Sequence, residues 1–202
     1  MKSILKTAAF VLAVLLTASF LVMPATEASY GGIYDKTVRL HILANSNCEE
    51  DQSLKLALRD SLLDYLSPIL EDAEGKQAAE SILREKLSEI EAFSKEFVEN
   101  AGSDQTVSVV LGSEFYPTRT YENFSFPAGE YTSLRIFLGA GEGQNWWCVV
   151  YPPLCLGISD ASGAFEKYSE EEQALLQQKD GGYVVRFAIL DLAAKLKKLF
   201  RG

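Results

Sequence analysis

Residues 144–155 run Gln144-Asn145-Trp146-Trp147-Cys148-Val149-Val150-Tyr151-Pro152-Pro153-Leu154-Cys155. These twelve positions hold both tryptophans, two of the three cysteines and two of the six prolines of a 202-residue chain. Trp146–Tyr151 is rich in aromatic and β-branched types, so it reads as a strand. Pro152-Pro153 must end it, because proline has no N–H to give to a ladder. The segment is expected to form a rigid hairpin presenting large aromatic faces, which suits a recognition surface better than a catalytic one. Adjacent strand residues point to opposite faces, so one tryptophan should join the core and the other should face outward or into a groove. Two aromatics packed at a core edge are the simpler reading of the same pair.

Cys148 and Cys155 are equidistant from the Tyr151–Pro152 bond. A hairpin turning there sets them opposite each other, close enough for a disulfide; the alternative is two buried thiols. Zinc is poorly supported. The spacing is C-x6-C with no second pair, and the single histidine, His41, is about a hundred residues away in sequence.

The N-terminus says where such a hairpin would work. Lys2 and Lys6 precede an uncharged run from Thr7 to Met23, Pro24 breaks it, and Thr26-Glu27-Ala28 places small residues at −3 and −1 of a cleavage site after Ala28. This is the layout of a secretory signal. The run also approaches the length of a spanning helix, so an uncleaved anchor is the alternative, with membrane contact confined to residues 4–23. Either way the rest of the chain is expected to be exported, because the lysines stay inside. The expected organisation is 1–28 signal peptide or anchor, 29–36 linker, and 37–202 one domain. Removing 1–28 takes away Lys2, Lys6 and Glu27 and moves the net charge from −9 to −10. An acidic surface of that size argues against nucleic acid and anionic lipid as partners.

Val38, Leu40, Ile42 and Ala44 alternate with Thr37, Arg39, His41 and Leu43, which is the period of a strand. Ser46 with Glu49 fits a capping box that starts a helix near Asn47. That helix has a broad apolar face built on Leu54, Leu58, Leu62, Tyr65, Leu66 and Ile69, widened by Leu56, Leu63 and Leu70, and Pro68 should kink or end it. A second helix is expected over about Lys76 to Asn100, with Glu80–Arg84 and Glu91–Lys95 pairs on its wet face. Strands follow over Thr106–Leu111, Glu114–Tyr121 and Tyr131–Leu138 before the Trp146–Tyr151 strand, and Gly139, Gly141 and Gly143 read as a flexible loop. Val185, Ile189, Leu192, Leu196 and Leu199 mark a last helix. The expected fold is α+β: a mostly antiparallel sheet of four to five strands with three helices.

No set of residues makes a convincing catalytic centre. His41 has no nucleophile elbow or metal-ligand cluster beside it in sequence, so a hydrogen-bonding side chain is the expected role and a general base or pH sensor the alternative. The three glycines fail as a phosphate cradle because a strand, not a helix, follows them. Glu49, Glu50 and Asp51 suit the first turn of a helix. No cofactor and no metal are expected.

Two segments together resemble the stage II sporulation protein R family. The first is Val38-Arg39-Leu40-His41-Ile42-Leu43-Ala44-Asn45-Ser46, followed by Glu50-Asp51-Gln52, Leu54-Lys55 and Leu58-Arg59-Asp60. The second is Leu134-Arg135-Ile136, the spaced glycines, and the block from Asn145 to Cys155. The likeness covers roughly residues 30–200; Cys48 departs from the pattern. The resemblance implies a protein made in the forespore of endospore-forming bacteria and exported into the space between the two septal membranes. There it activates a membrane-embedded aspartic protease of the mother cell, which cleaves the precursor of the sigma factor sigma-E. Arg135, Asn145, Trp146 and Trp147 are the expected contact residues, with His41, Asn45, Ser46 and Asp51 as a second patch. A cell-wall or peptide hydrolase using His41 with a carboxylate, or a septal scaffold, are the competing functions.

Overall fold

The computed structural model describes residues 30–121, 124–154 and 161–177. Six helices lie among them: α1 over residues 30–36, α2 Glu49–Glu71, α3 Lys76–Glu85, α4 Leu87–Asn100, α5 Ala161–Phe165 and α6 Glu170–Gln177. The strands are β1 Val38–Leu43, β2 Val107–Tyr116, β3 Arg119–Thr120, β4 Ser125–Phe126, β5 Gly129–Leu138 and β6 Asn145–Tyr151. The helix expected over 185–199 lies outside the described residues, as does the segment 1–28.

The α+β class is borne out, but the sheet is mixed, not mostly antiparallel. Its order is β2-β5-β1-β6, with β5 antiparallel to β2, β1 parallel to β5, and β6 antiparallel to β1. The helices between β1 and β2 form the crossover that a parallel pairing requires. Being central, β1 is buried on both faces, so Arg39 and His41 are as enclosed as Val38, Leu40 and Ile42. The pleat separates two cores. Val38, Leu40, Ile42, Leu134, Ile136, Leu138, Cys148 and Val150 meet Leu58, Leu62, Leu66, Leu83, Ile90 and Val98 of the three long helices. Each such leucine contributes about 1.5–3 kcal/mol through removal from water. The opposite face carries an aromatic layer of Tyr116, Phe126, Tyr131, Phe165 and Tyr168 with Tyr30, Ile33 and Leu176.

That second layer corrects the linker reading. Residues 30–36 are helical, and Tyr30 and Ile33 are buried against the sheet. The start of α2 differs too. Cys48 is the N-cap, its Sγ accepting from the Asp51 N–H at 3.5 Å, while the Ser46 Oγ accepts from the Cys48 N–H at 3.1 Å. Pro68 stays inside α2, one turn before its end, and Leu56 lies outside the buried stripe. The expected single helix over 76–100 is two, because Lys86 leaves helical geometry at φ −91°, ψ 9°. Glu80 pairs with Lys76 at 3.5 Å, whereas Glu91 and Lys95 pair as expected. The strands expected at 106–111 and 114–121 are one ten-residue strand, β2, followed by the short β3.

Candidate functional site

The face of the sheet turned away from α2–α4 carries Arg39 and His41 of β1, Ser133 and Arg135 of β5, Gly112, Glu114 and Tyr116 of β2, and Trp147 of β6. His41 stands beside Arg135 on one side and Trp147 on the other, so three of the expected contact residues form one row across three strands. Arg119 of β3 lies over the Trp147 ring, its guanidinium carbon 3.3 Å from the centroid. The His41 and Tyr116 rings pack against the same tryptophan at 5.2 and 5.8 Å.

One carboxylate orders this row. Nδ1 of His41 is 2.9 Å from Oε1 of Glu114, and the Ser133 hydroxyl donates to Oε2 at 2.9 Å. With its proton committed there, Ser133 accepts from the Tyr116 hydroxyl at 2.7 Å. Burial works to raise the Glu114 pKa, but the bonds from His41 and Ser133 and the charge of Arg135 outweigh it and hold the group below the ordinary carboxylate value. An ionised Glu114 fixes the proton of His41 on Nδ1. The serine therefore bonds the acid and not the imidazole, so this is not a nucleophile–base pair. Burial raises Tyr116 well above its usual range, keeping it a neutral donor.

Deeper on the same face, Arg39 is fully buried with its guanidinium carbon 4.5 Å from the Tyr116 centroid, 5.1 Å from Phe126 and 5.2 Å from Tyr131. Its Nη2 donates to the Tyr121 hydroxyl at 2.9 Å. Aromatic faces, not a carboxylate, hold this cation. Sequence reasoning missed Arg39, Glu114 and Arg119 as parts of the site; the Arg39–His41 alternation was the one signal that pointed toward them.

The other expected residues lie elsewhere. Trp146 faces the helices, with the Arg59 guanidinium 4.2 Å from its ring centroid, so the two tryptophans do take opposite faces. Asn45, Ser46 and Asp51 gather at one end of the sheet and staple the glycine loop. Oδ1 of Asn45 accepts from the Ala140 N–H at 2.9 Å, its Nδ2 donates to Asp51 at 2.9 Å, and Asp51 also accepts from Gln105 at 2.5 Å. The Gly143 N–H bonds the Ala44 carbonyl at 2.8 Å, and Lys55, buried in α2, donates to the Gln144 carbonyl at 2.9 Å. The loop is thus a fastened connection and not the flexible one expected. Asn145 is exposed at the start of β6, opposite Leu43. Cys148 is buried, while Cys155, and with it the expected pairing, lies outside the described residues.

Among the described residues no group of three or more His, Cys, Asp or Glu is placed to hold a metal ion, and no helix is long and apolar enough to cross a membrane. No solved structure matches the chain. The family model for stage II sporulation protein R matches residues 34–161. The stage II sporulation protein R of Bacillus subtilis (strain 168) is 37% identical over 166 residues, which is 82% of this chain and 71% of that protein. The matched span takes in the row, the stapled loop and the tryptophan strand, and the chain belongs to the stage II sporulation protein R family.

Proposed function

We propose that this chain is an exported sporulation signal that acts by binding. In this reading it meets the outer face of a membrane-embedded aspartic protease and favours that protease's active state, so that the precursor of sigma-E is cut. The site is then the sheet face bearing Arg135, His41 and Trp147. The observation that carries the reading is this row: a half-buried tryptophan, a histidine held by a hydrogen-bonded carboxylate, and an arginine beside it, on a chain whose family is a sporulation family. Aromatic and arginine side chains held rigidly are the residue types that dominate binding energy at interfaces. The hydrolase reading called for His41 with a carboxylate, and His41 does meet Glu114. What disfavours it is that His41 is 4% exposed and its Nε2 is shielded from solvent, with no nucleophile bonded to it among the described residues.

Export is the second element of the proposal, through residues 1–28 as a cleaved signal or a retained anchor. An oxidising compartment suits a Cys148–Cys155 disulfide, and Cys48 is a free, exposed thiol. Denatured, unreduced protein recovered from outside the membrane is then expected to react with one equivalent of a thiol reagent. Three equivalents would mean that the cysteines do not pair.

The decisive experiment co-expresses this chain, the protease and the sigma precursor in a non-sporulating bacterium, with and without residues 1–28. Precursor cleavage that needs both the protease and the signal segment supports the reading. Three folded proteins present without cleavage would overturn it and bring the hydrolase assay forward.

A further inference from the structure

The sheet face turned away from the long helices is unusual in its charge balance. The protein as a whole is acidic, with a net charge of −9. Yet this face gathers Arg39, Arg119 and Arg135 around a single carboxylate, Glu114, and both oxygens of that carboxylate are already taken by His41 and Ser133. Neither Arg119 nor Arg135 has an ion pair or a hydrogen-bonded side-chain partner among the described residues. Nε of Arg119, Nε of Arg135, Nε1 of Trp147, Nε and Nη1 of Arg39 and Nε2 of His41 are all shielded from solvent without a hydrogen-bond partner there. Arg39 and His41 are 0% and 4% exposed. Arg119 is also close enough to Arg39 for the two charges to repel. Arg39 and His41 are out of reach from outside, but Arg119 and Arg135 are only partly buried. Two partly desolvated guanidinium groups without acceptors are costly, so their acceptors are expected to come from outside.

We infer that this face receives carboxylates, presented by an acidic peptide segment of the protein partner. The inference rests on the reading that this face meets the partner, and it names the chemistry of the contact. A guanidinium offers a planar fork that matches a carboxylate with two parallel hydrogen bonds. Arg135 and the Trp147–Arg119 pair sit two strands apart, a span of about 10 Å, so an extended acidic segment reaches both ends of the row. Val110, which is 40% exposed and next to Arg135 in register, supplies an apolar contact at the outer end. The Arg135 guanidinium lies against Gly112, where a Cβ would be in ordinary contact with Nη2 at 3.4 Å.

The test is calorimetric titration of the full chain in non-ionic detergent with a peptide of six glutamates capped at both ends. The same peptide of glutamine, inorganic phosphate, and phosphatidylglycerol vesicles serve as comparison ligands. The expected result is saturable binding of the glutamate peptide alone, weakening as salt rises. Arg119→Gln and Arg135→Gln should each weaken it by about tenfold, while Arg84→Gln, on exposed α3 surface, should not. Arg119→Lys and Arg135→Lys keep the charge but lose the fork, and should fall between wild type and the glutamine variants; they also guard against loss through misfolding. Absence of saturable binding, equal weakening by Arg84→Gln, or preference for phosphate or vesicles would overturn the carboxylate reading. Each of these outcomes is independent of precursor cleavage. Conversely, glutamate-peptide binding together with normal cleavage by the two glutamine variants would overturn the assignment of this site to the signalling partner, leaving the signal reading standing.

Discussion

Nδ1 of His41 and Oε1 of Glu114 lie 2.9 Å apart, on two strands that do not touch each other in the sheet. The bond crosses over β5, where Ser133 donates to the other carboxylate oxygen and Arg135 adds its charge. Glu114 therefore ties three strands together on the face that meets the partner in the proposed reading. Its interactions are with groups whose donors would otherwise be shielded and unpaired, so removing its charge is felt both in stability and in the placement of His41.

Glu114→Gln is expected to destabilise the fold by about 1–3 kcal/mol at neutral pH, because the amide cannot accept from both neighbours on equal terms. The pH dependence has a definite sign. A carboxyl whose folded pKa is lowered contributes stability above its unfolded pKa and loses it as pH falls through the folded value. Glu114 is lowered from 4.5, so the wild type should lose this contribution progressively below that value. Urea midpoints measured from neutral pH down to about pH 3 should show the difference between wild type and Glu114→Gln shrinking on acidification. A difference that grows instead would mean that burial, not the bonds, dominates this group.

The glycine loop gives a second test. A Cβ on Gly143 would stand 2.2 Å from the Ser46 carbonyl oxygen, a backbone atom that cannot swing away. At Gly102 nothing lies within 4 Å, and the only obstacle is a φ of 78°. Gly102→Ala should therefore cost about 1–2 kcal/mol from the left-handed backbone alone. Gly143→Ala should cost more, since the loop must lift from the end of the sheet and stretch the bonds to Ala44 and Asn45. Thermal midpoints in the opposite order would show that the loop yields without resistance.

Period-two alternation made β1 readable, and the tryptophan strand and the opposite facing of Trp146 and Trp147 followed from the same rule. What the alternation did not reveal was that β1 is central. A strand of alternating type is expected to have one wet face, whereas the aromatic layer covers Arg39 and His41. That layer is assembled from α1, β4, α5 and α6, pieces too short to carry a periodic signal. Its absence from the reading is also why residues 29–36 passed for a linker. The parallel pairing of β1 with β5 is a long-range fact that local pattern does not encode. The site was half legible for the same reason: His41, Arg135 and Trp147 were named from their segments, while Glu114 and Arg119 join them only through strand register and the β3–β4 excursion. The three spaced glycines pointed to mobility because their sequence says nothing of Asn45, Asn47 and Lys55, which hold the segment from outside.

The two tryptophans separate stability from signalling. Trp146 closes the helix-side core beneath Arg59 and faces away from the proposed contact surface. Trp146→Ala should lower stability by about 2–3 kcal/mol, less than full burial would give because the ring is half-exposed, while the protein that remains folded still supports precursor cleavage. Trp147 lies in the row between Arg119 and His41. Trp147→Ala should weaken partner binding by about 2 kcal/mol or more, and cleavage per folded molecule should fall accordingly. The measurement is cleavage in the co-expression system, normalised to folded protein by protease resistance. If both folded variants signal at the wild-type level, the tryptophan face is not the contact surface; if Trp146→Ala is the one that loses signal per folded molecule, the contact lies on the α2–β6 side instead.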